Sequence, residues 1–412
     1  MAGPDIKAKA NINSFMKQTK SQVTLIMIVG IVILIVAVLF IYISKNSGKK
    51  IRESSIKEVH ETALEMQPIK ELVSGCLDKL AKDSVVLIGR QGGYIYESQG
   101  GSFVDFQETD EGVFFISNDK SNVAYNIKNI PIQTPNPYSS SIPSYPWQTF
   151  PYEPGGNKNF KGVFGQNGMP PLNKEGGPHS IQEQIETYID NNLDKCLDLS
   201  TFNSQGYDIK KSRSKTTVLL GSTDVTIQSE IPIEALNPNT KETLQIKDFS
   251  TKLDVRMKDA YYFINNLVEN DIKDITFNLT STSNNKNSFN VRAAENAFGN
   301  DDIVIINDEN SLIYGQPFEY IFARKNRAPA LYHISKSTLE FQPNHAITQQ
   351  DILRDSEFKA EDPDEDNIIL TIKAELTDPN LPTILNHPQI TFKVEVNDGA
   401  LSDHQIITVN RI

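Results

Sequence analysis

The sequence predicts a single N-terminal transmembrane helix, an α+β ectodomain and a C-terminal all-β sandwich, and three observations lead there. Val23 to Ile43 reads VTLIMIVGIVILIVAVLFIYI, twenty-one residues without a charge, and at the ~1.5 Å rise of a helix this matches the ~30 Å hydrocarbon core of a bilayer. From Ile69 to Lys325 the apolar pattern switches between helical spacing and strand-like alternation. In the last 87 residues, Phe392, Val394 and Val396 alternate with Lys393 and Glu395, an Asp398-Gly399 turn follows, and Ile406 to Val409 returns.

The segments follow in order: residues 1–22 as a basic cytoplasmic tail, 23–43 as the span, 44–68 as a helical stalk, 69–325 as the ectodomain and 326–412 as the sandwich. A buried core helix rarely stays apolar on every face for six turns, and the apolar part of a signal peptide is shorter, so the spanning reading is preferred. Its flanks do not orient it. Lys7, Lys9, Lys17 and Lys20 precede the span, and Lys45, Lys49, Lys50 and Arg52 follow it. The formal charge of -12 argues against nucleic acid, because phosphate binding needs a clustered basic surface and the basic clusters here flank the span.

Beyond the stalk, Pro68 restarts a helix over 69–88 that Gly89 ends as a left-handed cap, and Gly92-Gly93 continues the break. Glycines after a helix stand in the wrong order for a phosphate loop, which runs from strand to helix. Short alternating stretches at 102–106 and 112–116 predict a meander of small strands. Residues 131–178 hold ten prolines and the aromatics Tyr138, Tyr145, Trp147, Phe150, Tyr152 and Phe160. That stretch is a strap over the domain or a contact loop, and Tyr145 and Trp147 are its candidate contact residues, since aromatics dominate interface energetics. A helix from Ile181 to Leu199 is followed by a hairpin turning at Gly221 to Asp224, and then by a helix over 253–268 carrying Met257, Tyr261, Ile264 and Leu267. Strands at 303–306 and 318–322 flank an expected turn at Asn307 to Asn310. Asn278-Leu279-Thr280 is the one N-glycosylation sequon, an acceptor if the domain is exported.

The two cysteines, Cys76 and Cys196, each lie on the apolar stripe of a predicted helix. In an exported domain the default is one disulfide stapling two packed helices; two buried free thiols are the alternative. Neither has the short-range Cys or His neighbours of a metal site.

Asn326-Arg327-Ala328-Pro329, then Ala360-Glu361-Asp362-Pro363-Asp364-Glu365-Asp366, then Phe392 to Asp403 resembles the cadherin-like, dystroglycan-type β-sandwich modules of microbial surface proteins. The resemblance implies a cadherin/Ig-like sandwich. It also implies calcium at the Asp-x-Asp segment, with Asp362, Asp364 and adjacent Asp366 as candidate ligands together with acids of the preceding linker, although no cofactor is required. Three carboxylates on an irregular loop suit that hard cation. Here, however, Arg324-Lys325-Asn326-Arg327 puts cations in the linker, so a solvated acidic turn stands beside the calcium reading. The layout also resembles an uncharacterised group of predicted archaeal single-pass membrane-anchored surface proteins, through Lys20 to Thr24, Cys76-Leu77 and Gly92 to Ile95. That likeness implies location and disulfide chemistry, and with the sandwich it places the C-terminal part outside the cell.

Neither Gly-x-Ser-x-Gly, His-Glu-x-x-His nor a phosphate loop occurs, and the six histidines are scattered. The expectation is a non-enzymatic cell-surface protein. Its ectodomain would contact envelope or cell-surface proteins or glycans through the terminal module, with the membrane as its other partner. The alternative is a pilin-like filament subunit, because Lys20 to Thr24 is similar to the processed start of archaeal pilin precursors, although without the glycine and the acidic residue of that pattern. A mature chain beginning at Gln22 or Val23 would mark the filament. An envelope enzyme is a third, weaker reading.

Overall fold

The computed structural model describes residues 66–105, 113–116, 121–129, 164–238, 241–375 and 388–412. The expected span at 23–43, the tail, the stalk up to 65 and the aromatic stretch with Tyr145 and Trp147 lie outside these residues. Among the described residues no helix is long and apolar enough to cross a membrane. The chain divides into Met1–Ile69, described only at 66–69, and the compact unit Lys70–Ile412.

Helix α1 (66–90) ends one residue past the predicted cap, and Gly89 is an ordinary helical residue. A side chain there would collide with Glu319 O and come 2.7 Å from the Phe318 ring, so this glycine exists for close approach to a strand. The left-handed backbone comes later, at Gly92 (φ 69°) and Gly93 (φ 96°). The fully buried Gln184 holds that turn, accepting from Ile95 N (2.6 Å) and donating to Gly93 O (2.9 Å).

The central sheet contains β1 (Val113–Ile116), β2 (Ser121–Lys128) and β3 (Gln166–Asn167). Helix α2 (Ile181–Cys196) follows, its N-cap Ser180 accepting from Glu183 N, and then the short α3 (Ser200–Ser204). Cys196 closes α2 and is bonded to Cys76 of α1 with Cα atoms 5.8 Å apart, the staple that the two apolar stripes predicted.

A second sheet is formed by β4 (Asp208–Lys211), β5 (Lys215–Leu220), β6 (Val225–Leu236) and β7 (Thr243–Leu253), in the order β4-β6-β5 with β7 also on β6. Its β5–β6 hairpin turns between Leu220 and Val225, as the sequence predicts. The outer edge of β5 is capped by α2. Glu186 accepts from Val218 N (3.0 Å), Gln182 donates to Val218 O (2.9 Å), and Asp190 accepts from Thr216 Oγ1 (2.7 Å), so side chains satisfy an edge that would otherwise invite another strand.

Helix α4 (Met257–Lys273) then leads to β8 (Phe289–Phe298), β9 (Asp301–Ile313) and β10 (Gln316–Arg324). These complete the central sheet in the order β1-β2-β10-β9-β8, with β3 on β2 and β10 parallel to β2. The turn expected at Asn307 to Asn310 is part of β9; the chain reverses at Tyr314 (φ 53°) and Gly315 (φ 76°). Asp308 is what lets that polar stretch stay in the sheet. Its buried carboxylate accepts from Arg256, Ser311 Oγ and Asn310 N at an irregularity in the β9–β10 register.

The C-terminal region is strand-rich and sandwich-like. A four-stranded sheet has the order β12-β16-β15-β14, from β12 (Thr338–Phe341), β14 (Ile369–Glu375), β15 (Gln389–Asn397) and β16 (Ser402–Arg411). A short ladder of β11 (Ala330–Leu331) and β13 (Ala360–Glu361) accompanies it. Ile390, Phe392, Val394 and Val396 of β15 point into a core with Ile407 and Val409, and the residues between them face outward. The expectation of an all-β module needs one correction. Helix α5 (Gln349–Ser356) lies in it, started by a capping box between Thr348 and Asp351 and anchored by the buried Ile352.

Candidate functional site at the module joint

The residues that the sequence singled out converge where β10 runs into the C-terminal module. Arg324 ends β10, Lys325 to Pro329 bridge to β11, and the loop Asp362 to Asp366 follows β13. Hydrogen bonding to backbone N–H groups shapes that loop: Asp362 Oδ1 accepts from Asp364 N (2.8 Å) and Asp366 N (3.1 Å), a side-chain-closed turn that orients Asp364 toward the linker.

Asp364 meets arginine there. Arg327, 1% exposed, donates to it from its backbone N (2.6 Å to Oδ2), from Nε (3.0 Å to Oδ1) and from Nη2 (2.7 Å to Oδ1). Its remaining hydrogens go to Pro363 O (2.8 Å), Phe164 O (3.1 Å) and Asp271 O (3.4 Å), and Nη2 lies 2.8 Å from Asp271 Oδ2 as an ion pair. Arg324 lies alongside. Its Nε donates to Asp302 Oδ2 (3.0 Å), Nη1 to Asp271 Oδ1 (3.2 Å) and Nη2 to Asp364 O (3.0 Å), while Nε is 3.4 Å from Asp364 Oδ1. Two guanidiniums thus join three carboxylates from the end of α4, the start of β9 and the C-terminal module, all nearly out of contact with water. Burial by itself lowers the proton affinity of both guanidiniums, but Asp364, Asp271 and, for Arg324, Asp302 raise it above the ordinary arginine value, so both stay charged.

A second layer surrounds this network. Asp301 accepts from Asn326 N (2.8 Å), Lys325 Nζ (3.1 Å) and Tyr125 Oη (2.5 Å). Asn326 Nδ2 donates to Asp398 Oδ2 (3.1 Å), and Asp398 Oδ1 accepts from Ala400 N and Leu401 N (2.6 Å each), forming the β15–β16 turn. Leu401 packs on an apolar cluster of Phe164, Ile275, Ala328 and Ala330, a small core shared by the α+β region, the linker and the C-terminal module. Nearby, Asp403 pins β11 to β16 by accepting from Leu331 N (2.8 Å) and His404 N (2.8 Å), and burial pushes its carboxyl up to about 7.

The three candidate calcium ligands therefore have different surroundings. Both oxygens of Asp364 are engaged by the protein itself, Oδ1 by the two guanidiniums and Oδ2 by the Arg327 backbone N–H. Asp362 and Asp366 each keep one buried oxygen without a hydrogen-bond partner. Burial first, and then repulsion from Asp364, pushes Asp362 up to about 7 and Asp366 to about 6. Among the described residues no group of three His, Cys, Asp or Glu side chains is arranged to hold a metal ion. The donor set does not fit a calcium ion bridging the joint, because the guanidinium groups stand against the carboxylate that would have to bridge.

Asp271 and Asp302 are the site residues that sequence reasoning missed. They lie 93 and 62 positions before Asp364, and nothing in their local wording marks them. The legible signal was the sign reversal in the linker, four residues with three cations preceding a loop of carboxylates.

No protein-family model matches the chain, and no curated protein does. Among solved structures the chain is similar to the crystal structure of Drosophila N-cadherin EC1-4, at 12% identity over 50% of this chain and 66% of that chain, with a TM-score of 0.17. A score that low does not establish a shared fold.

Proposed function

We propose that this chain is a non-enzymatic, single-pass surface protein. Its ectodomain carries the terminal sandwich-like module outward on a joint fixed by protein cations, and the module contacts envelope or cell-surface proteins or glycans. The observation that carries the reading is the buried Arg324, Arg327, Asp271, Asp302 and Asp364 network, which ties the module to both α4 and β9. Such a joint suits a projecting element that must keep its direction, and it requires no calcium. The uncharged run at 23–43 supplies the anchor and the Cys76–Cys196 bond suits an oxidising compartment.

Protease treatment of intact cells tests the location. The module is cleaved from outside while a cytoplasmic control survives; protection until lysis overturns the outward orientation and the contact function with it. Thermal unfolding with calcium and then with a chelator tests the joint. The midpoint stays unchanged, whereas a calcium-dependent rise contradicts an arginine-held joint.

A further inference from the structure

The sequon Asn278-Leu279-Thr280 lies in the connection between α4 and β8, beside the module joint. Its three side chains have separate tasks. Leu279 is 1% exposed and fixes the segment to the core, while Asn278 is exposed. Thr280 Oγ1 donates to Asn278 Oδ1 (3.2 Å), so the hydroxyl that the motif requires is held against the acceptor amide. Asn284 Nδ2 donates to both Asn278 O and Leu279 O (2.8 Å each), which sets the backbone. The Asn278 amide nitrogen faces outward and donates to Glu365 Oε2 (2.8 Å), an exposed pair across the joint. Replacing one of its two hydrogens leaves the other free to keep that bond.

We infer that Asn278 is an N-glycosylation acceptor and that its glycan covers the module joint at Glu365. In the transfer, a bond forms between Asn278 Nδ2 and the anomeric carbon of a saccharide carried on a lipid phosphate. The anomeric C–O bond breaks, the lipid phosphate leaves, and one amide proton goes to base; no oxidation or reduction occurs. The inference rests on the exported reading of the ectodomain, and the experiment reads the two separately.

The full chain is purified from the cells that make it, and the tryptic peptide 274–286 is weighed by mass spectrometry, alongside external protease accessibility of the same cells. An accessible module with a saccharide mass on that peptide, lost in Asn278→Gln and in Thr280→Val, is the expected result. An accessible module with an unmodified peptide overturns the acceptor assignment and leaves the surface location standing. An inaccessible module with an unmodified peptide overturns both. A saccharide mass that persists in Thr280→Val shows modification by another chemistry and also overturns the assignment. Because Asn278 is exposed, the Gln variant keeps the fold, which its unfolding midpoint confirms.

Discussion

Replacing Arg327 by methionine keeps an unbranched apolar stem and removes the charge that Asp364 and Asp271 share. Removing one partner of a buried ion pair costs about 3–5 kcal/mol, because the other charge is left without water or a counter-ion. Three carbonyls, Phe164 O, Asp271 O and Pro363 O, lose a donor as well. Arg324 softens the loss, since it stays 3.2 Å from Asp271 and 3.4 Å from Asp364. The expected net loss is about 4 kcal/mol, read as a lower urea midpoint at unchanged slope. Adding Asp364→Asn to Arg327→Met restores part of the loss, with a coupling of about 2 kcal/mol between the two positions. A loss below about 1 kcal/mol for Arg327→Met, the value of a solvent-exposed pair, would refute the claim that this network holds the joint.

Other perturbations test the rest of the structure. Reducing Cys76–Cys196, or replacing both cysteines by serine, opens a 120-residue separation and lowers stability by about 5 kcal/mol in the chain-entropy model, seen as a lower denaturation midpoint with reductant. Gly89→Ala drives a methyl group into Glu319 O and the Phe318 ring and costs about 1–3 kcal/mol, whereas a true cap glycine would show a positive φ and no such clash. Asp362, Asp366 and Asp403 bind protons more tightly in the folded chain, at about 7, 6 and 7, well above the ordinary aspartate value. Their contribution therefore favours folding in acid and is lost as pH rises through about 6 to 7; Asp362→Asn flattens that part of the stability profile, and an unchanged profile counts against it.

How much of this was legible depended on the range of the interaction that decides each element. The β5–β6 hairpin and the β15–β16 return are local: alternation plus a turn between Leu220 and Val225, or at Asp398-Gly399, specifies them within about twenty residues. The disulfide was legible because a cysteine on an apolar helical stripe must face a neighbouring element. Misplacing the β9–β10 turn followed from reading Asn307 to Asn310 as solvated, when Arg256, from another segment, neutralises Asp308 within the sheet. Gly89 read as a cap because only the tertiary crossing of α1 over β10 shows what else a glycine there does. Likewise the linker cations and the Asp-x-Asp loop were both visible, but their partners Asp271 and Asp302 are brought in by sheet topology alone.

Crystals of the chain grown with and without calcium test the joint most directly. The same arrangement is expected in both, with the Arg327 guanidinium between Asp364 and Asp271 and no anomalous signal at the loop. A calcium peak ligated by Asp362, Asp364 and Asp366, with Arg324 and Arg327 displaced, would contradict it.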